Sequence, residues 1–102
     1  MVVRIWRGRV PREKADAYAR FLAERAVPDY RSVPGNLAVY VLRRDLEDAV
    51  EFTTLTLWRD LEAIRAFAGE DYARAKYYPE DRDFLLDFPP FVEHHEVVAK
   101  AP

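Results

Sequence analysis

The segment at residues 36–44, NLAVYVLRR, carries large apolar side chains at both sets of alternating positions: Leu37, Val39 and Val41, then Ala38, Tyr40 and Leu42. If this segment is a strand, alternate residues point to opposite faces of a sheet. A sheet face in water is normally polar, so a strand that is apolar on both faces needs cover on both. Helices of the same chain cover one face, and a second copy of the sheet is the economical cover for the other. The pattern therefore predicts a homodimer packed sheet to sheet, the alternative being apolar side chains tolerated in water.

The chain before this segment predicts a strand followed by a helix. Residues 2–10 alternate as a strand that Pro11 ends, and Pro11 itself suits the first position of a helix. Apolar residues then recur at helical spacing: Ala15, Tyr18, Leu22 and Ala26, widened by Ala19 and Phe21. We expect Pro28 and the Val33-Pro34-Gly35 run to end this helix.

The chain after this segment predicts a hairpin, a second helix and a closing strand. Residues 49–58, AVEFTTLTLW, are rich in β-branched and aromatic residues, and residues 45–48 have the length and polarity of a hairpin loop. Asp60 is a candidate N-cap for a helix that Gly69 ends, and its apolar stripe comprises Leu61, Ile64, Phe67 and Ala68. We expect a short helical piece over residues 70–76, an irregular stretch over 77–90 and a strand over 91–99.

The resulting order, β-α-β-β-α-β, predicts a ferredoxin-like α+β fold: a four-stranded antiparallel sheet with two main helices, as one domain over residues 1–102. In this fold the third strand lies antiparallel to the first. Pairing Ile5 with Leu55 places Arg9 opposite Glu51, so apolar and opposite-charge pairs coincide. This register groups Val3, Ile5, Leu55 and Leu57 on one face, and Arg4, Trp6, Thr54, Thr56 and Trp58 on the other.

The composition excludes several classes of function. With 16 basic and 18 acidic residues the chain has no basic footprint for nucleic acid. No apolar run approaches the ~20 residues that a membrane span needs, and Arg4 interrupts the N-terminus too early for a signal peptide. With no cysteine there is no disulfide, thiol catalysis or cysteine-based zinc site. We therefore expect a cytoplasmic protein without nucleic-acid or membrane partners.

Heat-labile side chains are scarce. The chain has no Gln or Cys, one Asn (Asn36) and one Met (Met1), and Arg outnumbers Lys by 13 to 3. Such depletion is a mark of a thermophilic source, but codon bias in a GC-rich genome produces the same pattern. Both explanations stay open.

Two adjacent histidines lie on the predicted closing strand. Because neighbours on a strand point to opposite faces, His94 and His95 cannot bind one metal ion together, and the chain lacks the His spacings of metal sites. We expect no metal and no cofactor. One of the two is a candidate proton carrier, since imidazole titrates near neutrality, and the alternative is a hydrogen-bonded structural histidine.

A second candidate cluster is aromatic and basic: Trp6, Trp58, Tyr72, Tyr77 and Tyr78, with Arg4 and Arg74. Aromatic walls with a few polar groups are typical of a pocket for a flat organic ligand, although aromatic residues also fill cores that bind nothing. The run at residues 80–83, EDRD, is most simply a solvated turn.

Several segments resemble the antibiotic biosynthesis monooxygenase domain family. They are the opening VVRIWRGRV, the segment TLWRDLEAIRAF at the junction of the third strand and the helix after it, ARAKYYPED at residues 73–81, and the ending VEHHEV. The resemblance spans nearly the whole chain. It implies a homodimeric α/β barrel with a pocket between the helices and the sheet of each protomer.

The resemblance also implies an activity, since some members oxidise polycyclic phenols with molecular oxygen and no cofactor. For this chain it implies an oxygenase-like enzyme acting on a small aromatic or quinol-type molecule. Trp6, Trp58, Tyr77, Tyr78 and Arg74 would line the pocket. Arg4 would stabilise the phenolate, and His94 or Tyr72 would move the proton. The alternative is a non-catalytic dimer that binds a small ligand or serves a stress response.

Haem-degrading members of the family have three residues in common: an Asn on strand one, a Trp at the end of strand three and a His on the following helix. Only Trp58 matches here, because strand one has no Asn and residues 61–78 have no His. Tyrosinate ligation by Tyr72, Tyr77 or Tyr78 would be the remaining route to a haem site.

Overall fold

The computed structural model describes all of residues 1–102. Its strands are β1 (Val2–Val10), β2 (Asn36–Asp45), β3 (Val50–Trp58) and β4 (Glu93–Glu96). Between β1 and β2 runs one long helical stretch: a 3-10 turn (Arg12–Lys14), α1 (Ala15–Phe21), a π-helical turn (Leu22–Ala26) and α2 (Val27–Arg31). After β3 come α3 (Leu61–Ala68) and a 3-10 turn (Pro79–Asp83).

The four strands form one antiparallel sheet in the order β2-β3-β1-β4, which confirms the ferredoxin-like α+β fold. The predicted register is confirmed as well: Ile5 pairs with Leu55 and Arg9 with Glu51. On the other edge of β1, Arg4 pairs with His94. The sheet therefore places Arg4 and His94 side by side on the same face.

The helices cover the face that carries Arg4. On this face the sheet contributes Arg4, Trp6, Val10, Phe52, Thr54, Thr56 and Trp58, all buried. They pack against buried residues of the helices: Tyr18, Leu22, Ala26, Tyr30, Ile64 and Phe67. Alternation along each strand is the reason that one set of side chains faces inward together.

The other face of the sheet is uncovered by the chain itself. Its members are Val3, Ile5, Ala38, Tyr40, Leu42, Leu55 and Leu57, by their cross-strand pairing. Tyr40 is 56% exposed and Leu42 is 47% exposed. A contiguous apolar face of this kind is the feature that led us to expect a partner sheet.

The first helix does not end at Pro28, so that part of the prediction was wrong, but it does end before the Val33-Pro34-Gly35 run, as the other part of the prediction had it. The helical stretch continues to Arg31 because the π-helical turn lies immediately before the proline. There the N–H of Val27 bonds the carbonyl of Leu22, five residues back instead of four. Proline lacks an N–H and crowds the preceding turn, and this widened turn accommodates it near the start of α2.

The second helix begins and ends as predicted. The side chain of Asp60 accepts a hydrogen bond from the N–H of Ala63 at 2.9 Å, as an N-cap does. Gly69 follows the last turn with a φ of 92°, a conformation that favours glycine.

The expected helical piece at residues 70–76 is absent, and that prediction was wrong. Its backbone instead pairs with the chain that precedes β4: the N–H of Ala75 donates to the carbonyl of Pro90, and the N–H of Val92 to that of Ala73. These long-range bonds replace the local bonds of a helix. The closing strand is also shorter than predicted, since only Glu93–Glu96 pair with β1.

Candidate functional site

A small cavity lies between the sheet and the helical layer. Its aromatic wall comprises Trp6, Tyr18, Tyr30, Phe67, Tyr77 and Tyr78. Three charged side chains also line it: Arg4, Lys76 and Asp81. The free space at its centre is about 20 Å³, which is room for about one water molecule. The cavity is thus a narrow aromatic chamber with a few convergent polar groups.

Arg4 is buried without a carboxylate partner. It is 3% exposed, and it takes part in none of the ion pairs of the chain. Its guanidinium donates to the carbonyl of Tyr72 at 2.5 Å and to that of Arg74 at 3.1 Å, and lies 5.8 Å from the centre of the Phe67 ring. Burial lowers the pKa of Arg4. A buried cation whose direct contacts are all neutral is an electrostatic site for an anion.

His94 contacts Arg4 directly. Its Nε2 lies 3.1 Å from the Nη1 of Arg4, and because a guanidinium only donates, this nitrogen accepts and the proton of the neutral ring is on Nδ1. Burial lowers the pKa of His94, and the positive charges of Arg4 and His95 lower it further. His94 also meets the ring of Tyr72 edge to face at 5.3 Å. His94 thus holds Arg4 in place from outside the cavity.

Trp6 forms the floor of the cavity on β1. Its indole N–H donates to the hydroxyl of Tyr77 at 3.2 Å, and that hydroxyl donates to the carbonyl of Pro89 at 2.5 Å. The indole ring lies over Gly8, where an added Cβ would collide with it. Glycine at this position is therefore what allows the ring to lie flat along the strand.

Asp81 is a buried carboxyl that lines the chamber from the 3-10 turn at Pro79–Asp83. It is 3% exposed. The hydroxyl of Tyr18 donates to its Oδ1 at 2.9 Å, and the backbone N–H of Tyr78 donates to its Oδ2 at 2.7 Å. Burial raises the pKa of Asp81, and the two hydrogen bonds oppose that shift.

The irregular segment at residues 70–78, called the covering chain below, is held in place by the carboxylate of Asp29. The hydroxyl of Tyr78 donates to the carboxylate of Asp29 at 2.5 Å, and the ammonium of Lys76 lies 3.2 Å from the same oxygen. Lys76 also lies 4.2 Å from the centre of the Phe67 ring. These contacts fix residues 76–78 to α2, across the outer side of the cavity.

The structure brings some of the predicted site residues together and separates others. Arg4, Trp6, Tyr77 and Tyr78 line the cavity. Trp58 does not: it is fully buried among Tyr30 and Phe67, and its N–H donates to Thr56. Tyr72 and Arg74 contribute backbone carbonyls to Arg4.

The side chain of Arg74 points away from the chamber. It pairs with Asp71 at 3.0 Å and lies over the ring of Phe91. Alternation along the strand predicts which way the side chain of Arg4 points. Arg74 lies on irregular chain, where no such pattern predicts the direction of its side chain.

Only four of the cavity residues were singled out as site residues by the sequence, and the others include Tyr30, Lys76 and Asp81. Asp81 lies in the run that was interpreted as a solvated turn, and its carboxyl is instead turned inward. Proline at position 79 and the tyrosines before it are the only local signals that this turn packs against something. Tyr30 would have been found by extending the apolar stripe of the first helix through Pro28.

Two further findings concern metals and membranes. The chain has no group of three or more His, Asp or Glu side chains placed to hold a metal ion. None of its helices is long and apolar enough to cross a membrane.

Solved structures with the same fold cover almost the whole chain. A protein of unknown function from Nitrosomonas europaea is 24% identical, with a TM-score of 0.72, over 99% of this chain and 93% of that one. MhuD of Mycobacterium tuberculosis, a haem degrader with two haems bound in its active site, is 22% identical, with a TM-score of 0.68, over 100% of both chains.

A third structure, assigned to the antibiotic biosynthesis monooxygenases, is also from Nitrosomonas europaea. It is 17% identical, with a TM-score of 0.69, over 97% of this chain and 100% of that one. At these identities the three likenesses establish the fold alone. No curated protein matches the chain.

The family itself is shown by the sequence. The profile of the antibiotic biosynthesis monooxygenase family matches residues 1–76, which span β1 to α3 and the start of the covering chain. The matched part includes Arg4, Trp6 and Lys76 of the cavity, while Asp81 lies beyond it. The chain belongs to the antibiotic biosynthesis monooxygenase family.

Proposed function

We propose that this protein is a monooxygenase-like enzyme that oxidises a small phenol or quinol with molecular oxygen, in the cavity between the sheet and the helices. The observation that carries the proposal is the buried guanidinium of Arg4, unpaired with any carboxylate and facing an aromatic chamber. A phenolate is the kind of ligand that supplies the missing negative charge and stacks on aromatic walls. Family membership supports the same reaction class.

The chemistry balances without a further reductant. A phenol and one dioxygen give a quinone and one water: one oxygen atom enters the ring and the other leaves as water. The ring loses four electrons and dioxygen gains four. Deprotonation makes the ring electron-rich, and Arg4 lowers the energy of the anion by placing a positive charge beside its oxygen.

Ligand entry requires the narrow cavity to widen. Its free space of about 20 Å³ is far below the ~300–1,000 Å³ of typical ligand pockets. Tyr77 and Tyr78 are half-buried and lie on chain without regular structure, so their outward rotation is the smallest change that makes room for a ring. His94 keeps Arg4 oriented while this happens, and its role as proton carrier stays a prediction, as does that of Tyr72.

Oxygen uptake tests the proposal. A panel of mono-, bi- and tricyclic hydroquinones and phenols is supplied to the protein, and uptake is compared with that of buffer alone. We expect Arg4→Gln to lower kcat/KM by about 10²–10³-fold, the usual cost of removing an oxyanion donor. Arg20→Gln, on the exposed side of α1, serves as the matched control. No uptake above buffer with any member of the panel would contradict the proposal.

Haem binding is the second candidate, because the full-length fold neighbour MhuD holds haem in its active site. The cavity of this chain offers tyrosine hydroxyls and no histidine to an iron atom. Added hemin therefore distinguishes the two candidates. A shifted Soret band that is lost in Tyr77→Phe or Tyr78→Phe favours haem, and an unchanged spectrum of free hemin favours the phenol oxygenase.

We also propose that the protein works as a homodimer through the uncovered sheet face. On this face Ile5 and Leu55 lie on the two central strands, and exposed Tyr40 and Leu42 lie on the edge strand β2. Charged side chains, among them Arg7, Arg44 and Glu51, lie toward one end of the face. An apolar centre with a polar rim is the usual anatomy of a protein interface.

A further inference from the structure

We propose that Asp81 is the proton acceptor of the cavity: its carboxylate takes the hydroxyl proton of a neutral hydroxyaromatic ligand, which is then held as an anion beside Arg4. This inference rests on the proposed function, since it concerns the ligand of the same cavity. It adds a catalytic residue and a requirement on the ligand, which must enter neutral and carry an acidic hydroxyl group.

The geometry leaves Asp81 free to accept a proton. Each of its carboxylate oxygens receives one hydrogen bond, from the Tyr18 hydroxyl and from the Tyr78 backbone. A carboxylate has about four acceptor positions, so roughly two remain. Asp81 lines the same cavity as Arg4, so these remaining positions are available to a ligand that occupies it.

No other side chain in the cavity wall can accept a proton near neutral pH. Arg4 and Lys76 are cations, and the Thr54 hydroxyl is not basic. Burial raises the pKa of each tyrosine in the wall, so Tyr18, Tyr30, Tyr77 and Tyr78 stay neutral. His94 lies outside the wall and its accepting nitrogen is occupied by Arg4. Asp81 is therefore the one base that faces the ligand.

Charge balance favours the transfer. Arg4 and Asp81 are both about 3% exposed, and neither forms an ion pair. Two isolated buried charges are costly, whereas a buried contact pair is much less so. When the ligand O–H bond breaks and an O–H bond forms on Asp81, the carboxyl becomes neutral and Arg4 gains an adjacent anion. The total charge of the cavity is unchanged.

The same balance excludes ligands that are already anionic. An aromatic carboxylate has no proton to give to Asp81, so it would leave two anions in one small chamber. Only Arg4 is there to balance them, because the other cation of the wall, Lys76, is paired with Asp29. Burial raises the pKa of Asp81 because the charged form is poorly solvated there, and a second anion would meet the same environment. We therefore expect the cavity to select phenols over benzoates of the same size.

The probe 4-nitrophenol tests the proposal, because its phenol and phenolate absorb at different wavelengths. It is mixed with the protein below the pKa that the probe has in water. We expect the phenolate band in the bound probe with the wild-type protein and its loss with Asp81→Asn, which keeps an acceptor for Tyr18. Asp83→Asn, an exposed carboxyl of the same turn, is the control and is expected to behave as wild type.

Tyr18→Phe separates this role from a structural one. If Asp81 only anchors Tyr18, then Tyr18→Phe breaks the same hydrogen bond and weakens probe binding at least as much as Asp81→Asn does. The phenolate band is then lost in both variants. If Asp81 is the base, Tyr18→Phe retains the band, because loss of a donor makes the carboxylate a stronger base. Circular dichroism establishes that each variant is folded.

A second measurement uses the wild-type protein alone. Calorimetric titrations in buffers of different ionisation enthalpy count the protons that leave the complex. We expect the bound probe to be phenolate with no net proton released, since the proton stays on Asp81. Release of about one proton per bound phenolate, or an unchanged phenolate band in Asp81→Asn, overturns the assignment of Asp81. Failure of the wild-type protein to bind 4-nitrophenol and larger phenols overturns the proposed function itself, and this inference with it.

Discussion

At the scale of single residues, Arg4 shows how a buried charge is held without a counter-ion. Two backbone carbonyls, a neutral imidazole and an aromatic ring surround its guanidinium. Each supplies a partial negative charge, and together they offset part of the cost of removing the cation from water. None of them supplies a full negative charge, which a bound anionic ligand would provide.

The contact between Arg4 and His94 predicts a dependence of stability on pH. Because the folded state lowers the pKa of His94 below its ordinary 6.5, the unfolded chain takes up a proton more readily as the pH falls through that value. The free energy of unfolding should therefore fall between about pH 7.5 and about pH 5. Urea unfolding at the two pH values measures this loss, which should be smaller in His94→Gln. An equal loss in the variant would contradict the assignment.

Gly8 predicts a packing effect at the cavity floor. A methyl group at this position would collide with the indole of Trp6 and lie 3.0 Å from Leu85. We expect Gly8→Ala to lower the free energy of unfolding by about 1–3 kcal/mol and to change the tryptophan emission. The control is Gly69→Ala, where the new methyl meets nothing within 4 Å and only the backbone is strained, so emission should stay as in wild type. Unchanged emission in Gly8→Ala would show that the ring does not lie over this glycine.

At the scale of elements, the two helices differ in how they are specified. α3 is short and is determined locally, by an N-cap at Asp60 and a glycine at its end. The long helical stretch from α1 to α2 is held by its packing on the sheet, which keeps it helical through Pro28. A local signal of helix termination is overridden there by burial of Leu22, Ala26 and Tyr30.

The N-cap of α3 gives a prediction with a matched control. Asp60→Ala removes the acceptor of the Ala63 N–H and should lower the free energy of unfolding by about 1 kcal/mol. Asp60→Asn keeps an acceptor oxygen and should lower the free energy of unfolding by only about a few tenths of a kcal/mol. Urea unfolding of the two variants side by side measures the difference. Equal stability of the two variants would mean that the cap contributes nothing.

At the scale of the whole molecule, the chain is a half-covered sheet. The helical layer buries one face, and the face around Tyr40 is covered by nothing in the chain. Burial of apolar area contributes about 25 cal/mol per Å², so a second copy on this face would add substantially to stability. The proposed dimer interface and the cavity lie on opposite faces of the sheet, so the dimer would not cover the cavity.

Light scattering of a charged variant tests the proposed dimer. We expect the wild-type protein to have twice the mass of one chain at micromolar concentration, and Tyr40→Glu or Leu42→Lys to have the mass of one. Leu61→Glu, an exposed apolar residue of α3, is the control and should keep the wild-type mass. A wild-type mass of 12.0 kDa under these conditions would rule out the sheet-to-sheet dimer.

Much of the sheet was predictable from the sequence. Period-two alternation, the β-branched strands and the charge pair of Arg9 with Glu51 determined the strand register and the grouping of side chains by face. That grouping also placed Arg4 and Trp6 together on one face, and both line the cavity. These features were predictable because they depend on neighbours within a strand and on one strand pairing.

The tertiary structure alone decided which side chains meet inside the cavity. Trp58 shares its face with Arg4 but lies among Tyr30 and Phe67, and Asp81 enters from a turn that looks solvated along the sequence. The covering chain at residues 70–78 follows bonds to residues 90–92 rather than its local preference for a helix. Local periodicity determines which way a strand or helix faces, whereas irregular chain takes its course from distant partners, and those partners exist only once the sheet and helices are packed.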